Sequence, residues 1–412
     1  MSTYLQKYSF CEQQLDVPVH PETKMIVVIP CYDEPQLIRT LSSLHNCIQP
    51  ACNVEVITVI NASQKENGEI KKRNIGCYHE ALQWAQTNAK PFMQFHFIIQ
   101  HELPHKHAGV GLARKIGMDE AVRRFEKTGK DGIIVCFDAD ATCDANYLDE
   151  IEKHFTLNSK SPGCSIYFEH PLSGSEFEND VYDAILDYEL FLRYYKQSLQ
   201  YAGFPFAFHT IGSSMAVRSS AYCKQGGMNR RKAGEDFYFL QKIIALGNFS
   251  EINTTRVIPS PRPSHRVPFG TGKAVADILN GLKPSSETYS FRIFEELKCF
   301  VENADTWYAQ KKWIPGSGLS DAFNEFMLKE GVEEKWDEML LHSASRKGFD
   351  ARWMEWMDAF FVLKLVHHLR DAAWPNQPLT DMCNLLLKAT GEKEINDKKE
   401  LLKRFRERDI KK

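Results

Sequence analysis

Short apolar runs alternate with longer amphipathic stretches from Lys24 to about Leu246. Residues 25–29 (MIVVI), 54–60 (VEVITVI), 95–99 (FHFII), 132–137 (GIIVCF) and 165–168 (SIYF) are rich in β-branched and aromatic side chains and too short for helices, so each predicts a strand. Their nearly continuous apolar character predicts strands covered on both faces. Between them, residues 36–45, 69–88 and 112–127 carry apolar side chains at helical intervals, such as Ile116, Val122 and Phe125. Leu148, Ile151 and Phe155 repeat that spacing after the fourth strand. Strands and helices in alternation predict a wound α/β sheet with crossover helices.

The pattern changes at residues 259–273, PSPRPSHRVPFGTGK, where four prolines and a G-T-G exclude a helix or a central strand and predict a long extended loop. From about residue 274 to 390 strand signals vanish and apolar residues recur at i, i+3, i+4, most densely at Trp353, Trp356, Met357, Phe360 and Leu363. These predict a helical C-terminal region whose Trp-rich helices pack as core or form the face of a homo-oligomer. Residues 391–412 are charge-rich, with only Ile395, Leu401, Leu402, Phe405 and Ile410 of large apolar type. They predict a solvated helix or a frayed tail. The chain therefore divides into an α/β domain over residues 24–272, a helical region over 273–390 and a charged tail over 391–412.

Composition narrows the class. A chain of 412 residues that is 43% hydrophobic and 12% aromatic can bury a large core, which excludes a disordered or collagen-like protein. Fifty-one Lys and Arg against 54 Asp and Glu leave a net charge of −3, so nothing draws the whole molecule to nucleic acid, and an anionic ligand needs a local site. Eleven cysteines, odd in number and never spaced C-x-x-C, point to free thiols in a reducing compartment rather than a disulfide frame or zinc knuckle. No segment reaches the roughly 18–20 apolar residues of a membrane span. A soluble cytoplasmic protein without an integral membrane segment is expected.

Three segments could carry chemistry. The fourth strand ends in Asp138-Ala139-Asp140. Side chains at i and i+2 share one face of a strand, so the two carboxylates would converge beyond the C-terminal edge of the sheet, where open α/β folds bind ligands. Like charges that close repel unless a divalent cation or a diphosphate-bound metal neutralises them; turn formation is the bland alternative. Asp144 reads as the N-cap of the next helix. The second segment, Glu235-Asp236, stands at the start of a helix that closes at Gly247. One acid would cap that helix and the other could be a general base. The third, residues 30–35 (PCYDEP), is an acidic turn after the first strand with no G-x-G-x-x-G. Its acids suit hydrogen bonds from a ribose or base, or helix capping, rather than a phosphate cradle.

Taken in order and spacing, these segments resemble the GT-A glycosyltransferases of the family 2 type, over residues 24–272. The matching positions are residues 30–34, the end of the second strand, Arg114 in the GLARKIG segment, Asp138-Ala139-Asp140 and Glu235-Asp236. The resemblance implies an enzyme that moves a sugar from a UDP- or GDP-sugar donor to the hydroxyl of a carbohydrate or other acceptor. It implies that Pro30, Tyr32 and Asp33 or Glu34 contact the nucleoside and that Arg114 lies near the base or phosphates. Asp138, with Ala139 beside it, would touch the ribose, and Asp140 would ligate Mg2+ or Mn2+. Asp236, with Glu235 beside it, would be the base for an inverting transfer. Asn61 stands where the family commonly has Asp, which replaces a charged contact to the base by an amide that both donates and accepts. In related enzymes the loop after the base helix closes over the diphosphate. That implies a metal role for His265 and a phosphate role for Arg266, on a segment that also carries Arg262 and Lys273.

Other signals are weaker. Gly270-Thr-Gly-Lys273 is not a Walker A loop, and His101, His105, His107 and Glu102 match no metal-binding helix. The aromatic residues between 188 and 208 could line an acceptor pocket or simply pack. Two further readings remain: a nucleotidyltransferase, disfavoured by the acidic, Gly-free first turn, and a non-catalytic GT-A-like binding module, disfavoured by the presence of both acidic pairs.

Overall fold

The computed structural model describes residues 3–264, 270–282, 286–316 and 318–411. The chain forms two compact units. The first comprises Met1–Tyr182 and Thr210–Leu279, the second Asp183–His209 and Asn280–Lys411.

In the first unit the elements are α1 (Thr3–Tyr8), β1 (Thr23–Cys31), α2 (Leu37–His45), β2 (Asn53–Ser63), α3 (Gly68–Thr87), β3 (Met93–Leu103), α4 (Val110–Thr128), β4 (Ile133–Cys136), β5 (Thr142–Cys143), α5 (Tyr147–Leu157) and β6 (Gly163–Phe168). Then come α6 (Asn179–Tyr201), which from Asp183 belongs to the second unit, β7 (Met215–Arg218), α7 (Ser219–Lys224), α8 (Glu235–Ile244), β8 (Ser250–Ile258) and α9 (Thr271–Leu279). Eight strands make one sheet in the order β3-β2-β1-β4-β7-β6-β8-β5. β3, β2, β1 and β4 run parallel, β7 lies antiparallel to both β4 and β6, and β8 is parallel to β6. This is the wound α/β sheet that the alternating pattern predicts.

All five expected strands are present. Every residue of β1 but Lys24 is buried, as covered faces require, whereas β3, at the edge of the sheet, is only partly covered, contrary to the expectation for all five. The additional strands escape a pattern reading for local reasons. β5 has two residues and β7 four, and β8 (SEINTTRVI) dilutes its apolar positions with polar ones because it is only half covered.

Helix α4 is the central crossover. Gly117 lets it lie directly on the sheet, since a Cβ there would stand 2.5 Å from Val28 Cγ1 and 3.2 Å from Val59 Cγ2. Arg114, Lys115, Asp119, Glu120, Arg123 and Arg124 of this helix are all buried, which its apolar spacing alone does not foretell. Residues before β1 supply most of the cover. Tyr4 Oη donates to Asp119 Oδ1 (2.7 Å), the Phe10 amide to Asp119 Oδ2 (3.1 Å) and the Gln14 amide to Glu120 Oε2 (3.0 Å). Arg124 donates to the carbonyl of Val17 (3.1 Å) and to both oxygens of Glu55, itself buried in β2.

The second unit is helical, as expected for this part of the chain. After α6 come β9 (Glu287–Thr288), α10 (Phe291–Gln310), α11 (Asp321–Lys329), α12 (Val332–Leu341), α13 (Arg346–Trp356), α14 (Ala359–Ala372), β10 (Gln377–Pro378), α15 (Leu379–Ala389) and α16 (Lys398–Ile410). Trp307, Trp313, Trp336 and Trp353 lie buried inside it, with the Trp336 and Trp353 rings 5.1 Å apart edge to face. Such aromatic pairs stabilise beyond their buried area. Residues 398–410, expected to be solvated or frayed, form an ordered helix with Leu401, Leu402 and Phe405 buried. Among the described residues no helix is long and apolar enough to cross a membrane.

Candidate active site

The parallel strands β1, β2 and β4 end on one edge of the sheet, so the segments that leave them meet there. β4 delivers Asp138, Ala139 and Asp140 to this edge, and α4 begins there with Arg114 near its first turn. Arg114 is 1% exposed, and its guanidinium joins two of the predicted segments. Nη2 donates to Asp138 Oδ1 at 2.7 Å and Nη1 donates to Glu235 Oε1 in a close ion pair. Two glycines make room for this arrangement. A Cβ on Gly212 would lie 2.8 Å from both terminal nitrogens of Arg114, and one on Gly111 would lie 2.3 Å from the carbonyl of Arg231 and 3.0 Å from Glu235 Cβ.

Helix α8 carries both acids in its first turn, after Gly234 turns the chain in the left-handed region (φ 68°). Glu235 is buried and Asp236 half-buried. Asp236 Oδ1 accepts from the amide of Phe237 (2.8 Å), so it also serves the start of the helix. Burial pushes the Glu235 carboxyl up to about 7, against the opposing charge of Arg114. Burial also raises Asp236, again opposed by Arg114 and reinforced by the charge of Asp138.

A second arginine links the remaining acids. Arg262, in the proline-rich loop after β8, binds both oxygens of the buried Glu34 and lies 3.4 Å from Asp140 Oδ2. Glu34 also accepts from the Gln36 amide at 3.0 Å. Arg262 was legible only as one cation of a loop. The sign of its role was its place between Pro261 and Pro263, which restrict the backbone on either side.

The other predicted residues have further partners of their own. Asp33 (φ 49°) is held by Arg73 through two bonds of 2.7 and 2.8 Å, and its amide donates to Asn74 Oδ1 at 2.9 Å. Asn61 is 3% exposed and donates to the carbonyl of Cys31 (2.8 Å), while Asn74 donates to the Asn61 carbonyl (3.0 Å). Pro30 lies within β1 opposite Val59, and Tyr32 is half-buried in the turn. Ala139 is buried, and its carbonyl accepts from Thr40 Oγ1 (2.8 Å). Asp144 pairs with Arg256 (3.0 Å) instead of capping α5, whose N-cap position is Asn146. Lys273 pairs with Asp277 one turn on in α9. His265 and Arg266 lie outside the described residues.

No protein-family model matches this chain, and no curated protein sequence matches it. Among solved structures, the chain is similar to residues 1–349 of TarS from S. aureus in complex with UDP-GlcNAc, at 12% identity and a TM-score of 0.41, over 81% of this chain and 90% of that one. It is also similar to the mannosyltransferase PcManGT from Pyrobaculum calidifontis in complex with GDP-Man and Mn2+, at 14% identity and a TM-score of 0.40, over 84% of this chain and 91% of that one. Likenesses this distant leave the chemistry to be argued from the residues themselves.

Proposed function

We propose that the first unit is a GT-A type glycosyltransferase that moves a sugar from a nucleoside-diphosphate donor to an acceptor hydroxyl with inversion. The observation that carries this reading is the Arg114 guanidinium bonded at once to Asp138 and Glu235. It gathers the D-x-D segment and the Glu-Asp helix start, about a hundred residues apart in sequence, at the ligand-binding edge of one sheet.

Hard oxygen donors in small number, completed by substrate phosphates, are what Mg2+ and Mn2+ accept. Asp140, with 26% of its side chain exposed beside Asp138, fits that description, and His265 is proposed from the sequence as a further ligand. A divalent ion held there would offset the charge of the departing diphosphate. Asp138 would accept from the ribose, Glu34 or Asp33 from the nucleoside, and Arg266 would bind phosphate.

Asp236 supplies the proton-transfer group. As the acceptor oxygen forms its bond to the anomeric carbon and the bond from that carbon to the diphosphate oxygen breaks, the Asp236 carboxylate takes the hydroxyl proton. Glu235 does not need to react. Its pair with Arg114 holds the start of α8 in place.

The test is thermal denaturation with nucleoside diphosphates and nucleotide sugars, with and without Mn2+. One nucleotide should stabilise the protein only when metal is present, by about 2.7 kcal/mol at a hundredfold excess over its Kd. Asp140→Ala should remove that stabilisation. No response to any nucleotide would refute the reading.

A further inference from the structure

Cys47 and Cys143 bring their sulfurs to 3.7 Å in the first unit. Cys47 lies two residues past α2 and is buried, whereas Cys143 ends β5, three residues after Asp140, and is half-buried. The backbones that carry them are already fastened to each other. Thr40 Oγ1 donates to the carbonyls of Ala139 and Ala141 at 2.8 and 2.9 Å, and the Cys143 amide donates to Ser43 Oγ at 2.8 Å. A disulfide needs its sulfurs at about 2.05 Å, so the two must approach by roughly 1.7 Å.

Several groups act on the Cys47 sulfur. The Cys143 thiol donates to it first, the amides of Leu148 and Tyr147 at the start of α5 follow, and the charge of Lys90 adds to them, so the Cys47 thiol is held below its ordinary value despite burial. A lowered thiol supplies more of the nucleophilic form than an ordinary one. The mechanism proposed for sugar transfer uses neither sulfur.

We propose that Cys47 and Cys143 form an oxidisable dithiol, a modification site that hydrogen peroxide converts into a disulfide tethering α2 to the segment that follows the D-x-D. The Cys47 thiolate attacks one peroxide oxygen, the O–O bond breaks, and the departing hydroxide takes a proton to become water, leaving a sulfenic acid on Cys47. The Cys143 sulfur attacks the sulfenyl sulfur, the S–O bond breaks, and the hydroxyl leaves with the Cys143 proton as a second water. Two thiols are oxidised by two electrons and one peroxide is reduced to two waters. This inference does not depend on the sugar-transfer reading.

The full chain, reduced and then treated with hydrogen peroxide, is alkylated, digested with trypsin without reductant and sequenced by mass spectrometry. The expected product joins peptides 40–65 and 131–153, with fragment ions that place the bond between Cys47 and Cys143, and dithiothreitol reverses it. Each peptide holds a second thiol, Cys52 or Cys136, so Cys52→Ser and Cys136→Ser should keep the cross-link while Cys143→Ser loses it. Amides of residues 139–146 should exchange hydrogen more slowly in the cross-linked protein than in the reduced one. Cys31 and Cys77 are a second hydrogen-bonded thiol pair. A bond formed there or at Cys52 or Cys136, with Cys47 and Cys143 still fully alkylated, would overturn the proposal, as would unchanged exchange. If Cys143→Ser fails to fold, the fragment ions from the unsubstituted chain decide alone.

Discussion

Asp236 serves two ends at once, because the Phe237 amide bond that favours its charged form sits in a pocket whose burial opposes charge. Burial wins, and the carboxyl titrates above the ordinary aspartate range. A base works only when deprotonated, so a raised value moves the acid limb of the rate profile upward. The logarithm of kcat/KM for transfer should therefore begin to fall at a pH clearly above the usual aspartate value near 3.9. A profile flat down to that value would place the base elsewhere. Asp236→Asn keeps the shape and the Phe237 bond but cannot accept a proton. Nucleotide binding should be retained while kcat drops by about 10²–10⁴-fold. Retained turnover with intact binding would remove Asp236 from its role.

At the scale of elements, two helices depend on charges that are buried away from water. Arg114 has room for its guanidinium because Gly212 lacks a side chain. Gly212→Ala would press a methyl against both nitrogens, and overpacking of this kind costs about 1–3 kcal/mol. Urea denaturation should show that loss, together with weaker nucleotide binding, since the same guanidinium orients Asp138. In the second unit, α16 is held by Asp409, which is 1% exposed and accepts from Arg193 Nη1 (2.6 Å), Lys196 Nζ (3.1 Å) and Gln197 Nε2 (3.1 Å). Arg406 from the same helix binds both oxygens of Glu189 in α6 at 2.8 and 2.9 Å. Burial opposes the charge of Asp409, but the bond from His209 and the charges of Lys196 and Arg193 hold its carboxyl far below the usual range. Asp409→Ala leaves those cations buried without their anion, which costs about 3–5 kcal/mol. A loss under 1 kcal/mol in denaturant would show that the cluster is hydrated in solution.

For the molecule as a whole, the sequence is most readable where one physical demand dominates. Strands β1, β2, β4 and β6 are largely apolar because both faces are covered, and that pattern survives in the bare chain, whereas the edge strand β3 is only partly covered. The acidic segments stand out in the sequence because they sit at a strand end and a helix start, although turns and caps use the same residues. What stayed hidden is pairwise. Nothing local says that Arg262 reaches Glu34, or that residues 3–18 cover the charges of α4. The charged composition of α16 likewise conceals that its partners lie on α6, because a buried ion pair and a solvated one are written with the same letters.

Those partners are separated by 216 residues between Arg193 and Asp409 and 217 between Glu189 and Arg406. A ribosome adds about 5–20 residues per second, so α6 emerges roughly 10–40 s before the helix that neutralises it. During that interval Glu189 and Arg193 can bond to each other, one turn apart on the same helix, while Arg406 and Asp409 are still to be made. The charged face of α6 thus waits in solvent or in the care of a chaperone until α16 arrives to neutralise it.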